Sequence, residues 1–136
     1  MTGATHLLTG SLIYVFMRGN KLLSPVFALG SHFLLDAIPH FDNSAWNFPL
    51  GFLAILFLLL TTKRTGDPFI LISALFGILP DVNHIVIFNE TMLDLHQVAH
   101  FKKTFEIPID FLYTEMYACL AACYLIWTRY PAKVLH

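Results

Sequence analysis

The chain has 136 residues, of which 57% are hydrophobic and 12% are charged. The charged share is about half that of an average soluble domain, which carries roughly 25% charged residues. The high apolar fraction excludes intrinsic disorder, and a formal net charge of −1 without a basic run excludes electrostatic binding of nucleic acid. Two cysteines do not make a disulfide scaffold. The composition predicts a small polytopic membrane protein with a single domain over residues 1–136.

Five apolar segments are separated by gaps that carry charges, prolines or glycines. They are Leu7–Met17, Leu22–Ile38, Trp46–Thr62, Pro68–Phe88 and Ile107–Thr128. A membrane-spanning helix needs about 20 residues, so the first segment is short unless residues 1–6 extend its helix. We therefore predict an all-α bundle of about five transmembrane helices with short loops. The second, fourth and fifth segments contain acidic or histidine residues and are expected to face one another.

The basic residues predict the orientation of this bundle. Six of the eight Lys and Arg residues lie in the first gap, in the third gap and after the fifth segment: Arg18, Lys21, Lys63, Arg64, Arg129 and Lys133. Lys102 and Lys103 are the exceptions. With five spans these three places fall on one side, which the positive-inside tendency makes cytoplasmic. We expect a bacterial inner-membrane protein with its N-terminus, residues 39–45 and residues 89–106 outside, and its C-terminus in the cytoplasm.

Six of the seven histidines fall at the predicted outer end, beside two aspartates within apolar segments. The candidate metal ligands are His6, His32, Asp36, His40, Asp81, His84, His96 and His100. Spacings of three or four residues place several of them on one helix face. An unpaired carboxylate in an apolar span costs about 2.5–3.5 kcal/mol, so Asp36 and Asp81 need partners. Imidazole nitrogens and carboxylate oxygens suit divalent metals, and the pattern predicts such a site, with zinc as the first choice.

Other readings of these residues stay open. His6 alone is typical of an interfacial residue, and His96 and His100 are also typical of a solvated amphipathic helix. Asp110 and Glu115 are candidates for further ligands or for a general base. The pattern is thus also consistent with purely structural roles for these residues, as an alternative to metal binding.

Short motifs along the chain resemble a known family. Thr5-His6-Leu7-Leu8, the run Ile78-Leu79-Pro80-Asp81-Val82-Asn83-His84, and the later His96 and His100 are similar to small bacterial integral-membrane proteins described as membrane-bound, metal-dependent hydrolases. This resemblance implies that His6, Asp81 and His84 bind metal. Asn83 stands where the family motif carries a second aspartate. Separately, His32-Phe33-Leu34-Leu35-Asp36 with Pro39 and His40 resembles the helix-borne element of zinc-dependent phospholipases C, which implies hydrolysis of a phosphoester or lipid-derived substrate.

Three functions follow as hypotheses. The first is a membrane-embedded, metal-dependent hydrolase that acts on a lipid or phosphoester at the membrane surface. The second is a metal or proton carrier in which the same residues form an entry site. The third is a non-catalytic scaffold in which histidines and aspartates cap broken helices. A carrier is expected to continue polar groups through the bilayer, and the apolar runs 70–75 and 121–126 favour the hydrolase.

Overall fold

A computed structural model describes residues 1–38, 40, 44–86, 89–99 and 109–131 of the protein. Six α-helices and no strand are found within these residues, so the predicted all-α class is confirmed. The helices are α1 (Gly3–Phe16), α2 (Leu23–Asp36), α3 (Ser44–Thr65), α4 (Phe69–Val86), α5 (Glu90–Ala99) and α6 (Asp110–Arg129).

The centre of the bundle is α1, which packs most closely against α4. A Cβ atom added at Gly10 would lie 2.4 Å from the carbonyl oxygen of Ser73. One added at Gly77 would lie 2.5 Å from the carbonyl oxygen of His6. Only glycine allows two helix backbones to approach this closely. The close approach places residues 3–10 of α1 directly against residues 73–78 in the middle of α4.

The remaining helices surround this pair. α2 packs against both α1 and α4, α3 and α6 pack against α1, and α5 lies across α4 and α2. The fifth apolar segment, which forms α6, therefore faces α1, and the expectation that it faces α2 and α4 is wrong. The reason is that the glycine contacts insert α1 between α6 and these two helices.

Contacts at the two ends show that the principal helices alternate in direction. At one end, the backbone N–H of Gly3 donates to Oδ1 of Asn47 at 2.7 Å. At the other, the hydroxyl groups of Tyr14 and Tyr130 both donate to Oδ2 of Asp67 at 2.6 Å. The N-terminal ends of α1, α3 and α6 thus lie with the C-terminal ends of α2 and α4.

Two of the described helices are long and apolar enough to cross a membrane: residues 45–65 of α3, and α4. α1 and α2 have 14 residues each, about 21 Å at 1.5 Å per residue, against a hydrocarbon core of about 30 Å. α6 has 20 residues but is less apolar, with Asp110, Glu115 and Arg129. The predicted bundle of five spans is therefore not confirmed.

Candidate metal centre

Three helices each bring one or two side chains to a common point. His6 lies near the start of α1, His32 and Asp36 lie one turn apart at the end of α2, and Asp81 follows Pro80 in α4. Each offers one ligand atom, and these four atoms lie within 4.8 Å of one another. His6, His32 and Asp36 are buried, whereas the side chain of Asp81 is 30% exposed. The group is thus buried at three of its residues and accessible to solvent at Asp81.

The distances centre on the Asp36 carboxylate. Its Oδ1 lies 3.1 Å from Nε2 of His6, and its Oδ2 lies 2.9 Å from Nε2 of His32. The same His32 nitrogen lies 3.6 Å from Oδ1 of Asp81. The His6 and His32 rings stack with their centroids 4.0 Å apart. Two imidazole nitrogens and two carboxylates therefore converge on one small volume.

The chemistry of the imidazoles fits a metal ligand set. Nδ1 of His32 lies 2.8 Å from the carbonyl oxygen of Gly77, which can only accept, so Nδ1 carries a proton. Nε2 of His32 and Nε2 of His6 are buried and make no hydrogen bond of suitable geometry with a described group. A backbone carbonyl that fixes one ring nitrogen and leaves the other for a metal is a common arrangement around zinc. The residues present thus fit a divalent cation with nitrogen and oxygen ligands.

His96 reaches both carboxylates from α5. Its Nε2 lies 3.2 Å from Oδ2 of Asp36 and 3.2 Å from Oδ1 of Asp81. Hydrogen bonds to Asp36 and Asp81 raise the pKa of His96 to about 9, against the opposing effect of burial. The sequence did not distinguish this position from a solvated loop histidine, because nothing local indicates that α5 folds back over the acids.

Among the described residues, His84 and His40 are candidate ligands that are not members of the four-residue group. The exposed His84 is outside it, with its ring centroid 5.6 Å from that of His96. His40 is buried, and its Nδ1 lies 2.8 Å from the carbonyl oxygen of Ile38. His100 lies outside the described residues. Of the eight predicted ligands, four form the group and His96 contacts it directly.

Glu115 fixes the start of α1 and so the position of His6. Its Oε1 accepts hydrogen bonds from the backbone N–H of Thr2 and from the hydroxyl of Thr5. Its Oε2 is buried and has no hydrogen-bond partner among the described residues. These contacts make Glu115 a positioning residue at the N-terminus of α1, and they do not place it among the metal ligands.

The sequence analysis did not identify the supporting roles of Gly77 and Asn83. Gly77 receives the His32 ring and packs against His6, and the small residues Ser73 and Gly77, four apart, are the signal that could have identified this close helix contact. Asn83 is buried and pairs with the backbone of Asn89 through two hydrogen bonds of 2.8 Å. This amide pair holds α5 onto α4, and it accounts for an amide at the position where the resembled family carries an acid.

Comparisons with known proteins identify no relative. No protein-family model matches the chain, and neither the curated proteins nor the solved structures contain a match. The resemblance to metal-dependent hydrolases therefore stays a prediction.

Proposed function

We propose that this chain is a membrane-embedded, metal-dependent hydrolase that acts on a phosphoester or lipid-derived substrate at the membrane surface. The observation that carries the proposal is the convergence of His6, His32, Asp36 and Asp81 within 4.8 Å at one end of an apolar bundle. Buried carboxylates are costly unless they are paired or bind a metal. Nε2 of His6 and Nε2 of His32 lie 3.1 Å and 2.9 Å from the Asp36 carboxylate but lack hydrogen-bond geometry, which favours a shared metal over ion pairing alone.

The surface of α3 supports placement in a membrane. Large apolar side chains on it are exposed, including Phe48 at 81%, Phe52 at 59% and Leu60 at 54%. A contiguous apolar surface of this kind is rare on soluble monomers and marks contact with a membrane or partner. Arg64 and Lys21 lie with Asp67 at the end opposite to the metal centre, as the positive-inside tendency requires for an outer site.

Each residue of the centre has a role in this proposal. The two histidines and two aspartates would hold the ion, and zinc would supply Lewis acidity and a bound water of lowered pKa. His96 holds a proton at Nε2 between the two carboxylates. The exposed His84, whose ring neighbours that of His96, is placed to exchange protons between the centre and solvent.

The interior beyond the centre favours a hydrolase over a carrier. Between the histidines and Asp67 the core is chiefly apolar, with Leu7, Ile70 and Ala74 fully or almost fully buried. The hydroxyl of Ser11, which lies in this region, donates to the carbonyl oxygen of Ile70. The buried hydroxyl of Ser73 has no hydrogen-bond partner among the described residues, so a transported ion would meet few free ligands besides this one on its way through the bundle.

The test compares metal content and turnover in matched variants of the purified protein. Asp36→Asn and Asp81→Asn each replace a carboxylate of the centre by an amide of the same shape, and Asp94→Asn does so at an exposed position of α5. We expect about one equivalent of zinc or a similar ion in wild type and Asp94→Asn, and at least a tenfold loss of affinity in the other two. Release of product from phosphoester and acyl-ester lipids should follow the metal content.

The outcomes separate the three hypotheses. Metal binding with turnover that is lost in both centre variants supports the hydrolase. Metal binding without turnover of any lipid would leave the carrier, and equal, near-zero metal content in all four proteins would leave the scaffold.

A further inference from the structure

A groove runs from the metal centre along the outside of the bundle between α1, α3 and α4. Its volume is about 510 Å³, within the range of small-molecule sites. Apolar side chains form most of its lining, among them Leu7, Phe52, Ile55 and Ile78, and Asp81 and His84 also line it. The groove therefore joins an apolar surface to the exposed side of the metal centre.

The groove is open because a glycine lies in its wall. A Cβ atom added at Gly51 of α3 meets no atom within 4 Å. Phe48 and Ile85, which also line the groove, are about 80% exposed, so it opens sideways onto the apolar surface of the bundle. In a bilayer this opening would face the acyl region, and a lipid chain could enter from the side.

Two further apolar grooves between the described helices lack this connection. One, of about 220 Å³, lies between α1, α3 and α6 and is lined by Cys119 and Cys123. The other, of about 860 Å³, lies between α1 and α2 beside Gly30. Neither is lined by a histidine or a carboxylate, so neither joins the centre. The groove between α1, α3 and α4 therefore differs from an apolar surface that merely contacts lipid, because it also reaches the metal centre.

From this continuity we infer that the groove binds one acyl chain of a glycerolipid and positions its ester or phosphoester linkage beside Asp81. The inference rests on the proposed hydrolase and specifies its substrate class as a long-chain lipid. A water-soluble phosphoester would gain nothing from the apolar wall, whereas each buried methylene contributes to binding. Asp81, the one exposed carboxylate of the centre, is the group that a lipid in this groove would meet first.

Photolabelling in vesicles tests the inference without relying on turnover. The protein is reconstituted into phosphatidylglycerol vesicles that contain a trace of the same lipid with a diazirine in one acyl chain, and adducts are mapped by mass spectrometry. Gly51→Leu should fill the groove, and Gly30→Leu adds the same side chain at a second open glycine, in the groove between α1 and α2. We expect Gly51→Leu to lower labelling of Phe52, Ile55 and Ile78 by about tenfold, because leucine displaces several methylenes of the chain.

The control Gly30→Leu should leave labelling of these three residues unchanged. Unchanged labelling in Gly51→Leu, or an equal loss in both variants, would overturn the inference. Helix content and metal content are measured on the same samples. If Gly51→Leu does not fold, the test is repeated with Ile55→Trp, and Leu56→Trp is the control. Labelling does not depend on hydrolysis, so a labelled groove without turnover would overturn the hydrolase, and turnover without groove labelling would overturn only the lipid groove.

Discussion

His32 and Gly77 are linked by a hydrogen bond of 2.8 Å from the Nδ1–H of the ring to the backbone carbonyl oxygen. The bond spans α2 and α4, the two helices that carry the aspartates of the centre. It fixes the orientation of the imidazole and leaves Nε2 directed toward Asp36 and Asp81. The link therefore couples the packing of two helices to the protonation pattern of a candidate ligand.

This link predicts the tautomer of His32. In the neutral ring we expect the proton on Nδ1, because the Gly77 carbonyl can only accept. Nitrogen-15 NMR of selectively labelled protein distinguishes the two tautomers, and added zinc should shift the Nε2 resonance of His32. The exposed His84 serves as the comparison, since water can solvate either nitrogen. A proton found on Nε2 of neutral His32 would contradict the assignment.

A second prediction concerns the glycines between α1 and α4. Gly77→Ala places a methyl group 2.5 Å from the His6 carbonyl oxygen, so the backbones must separate. We expect a loss of about 1–3 kcal/mol in the free energy of unfolding, together with weaker metal binding, because His6 moves away from Asp36. Gly30→Ala is the control: its Cβ meets no atom, and the gain in helix propensity is up to about 1 kcal/mol. Denaturant titration in detergent measures the free energy of unfolding of both variants. An equal change in Gly77→Ala and Gly30→Ala would disprove the close-packing explanation.

A third prediction separates the role of Asn83 from that of a metal ligand. Asn83→Asp restores the acid of the resembled motif but removes the N–H that donates to the carbonyl oxygen of Asn89. The carbonyl would then lie opposite a buried carboxylate, which should lower the free energy of unfolding by about 1–3 kcal/mol and weaken the packing of α5 on α4. Hydrogen exchange should become faster in α5, and zinc affinity should not rise. Asn20→Asp provides the control, because the Asn20 side chain accepts hydrogen bonds from Leu22 and Leu23 and needs no donor. Tighter zinc binding in Asn83→Asp would instead place position 83 in the ligand set.

The fourth prediction is a dependence of stability on pH at the opposite end of the bundle. Burial raises the pKa of Asp67, but hydrogen bonds from Tyr130, Tyr14 and the backbone of Phe69 outweigh it and hold the pKa below its usual value. Because the unfolded chain then takes up the proton first, this contribution is complete above the unfolded pKa of about 3.9 and is lost as pH falls through the folded pKa. Unfolding measured between about pH 6 and pH 3 should therefore show declining stability, and Asp67→Asn should flatten that decline. Asp94→Asn, at an exposed position, should retain the decline. Identical dependences of stability on pH for wild type and Asp67→Asn would refute the attribution to Asp67.

The order of residues is enough to predict the helical class and much of the grouping of the histidines and aspartates at one end of the bundle. Long apolar segments with short connections form antiparallel helices, so alternate gaps meet at the same end. His32 and Asp36, four residues apart, share a helix face whatever surrounds them. These features depend on local spacing and on the direction of successive helices, both of which the order of residues specifies.

Which side chains meet depends on the packing between helices. The central position of α1 follows from backbone contacts at Gly10 and Gly77, and whether two glycines face a partner helix depends on how the helices rotate about their axes. The same rotation directs Asp81 into the centre and leaves His84 exposed, although only three residues separate them. His96 reaches both aspartates because Asn83 binds the start of α5, a pairing between helices that no periodicity encodes. Contacts between elements depend on the summed packing of the whole bundle, so local spacing could not specify them.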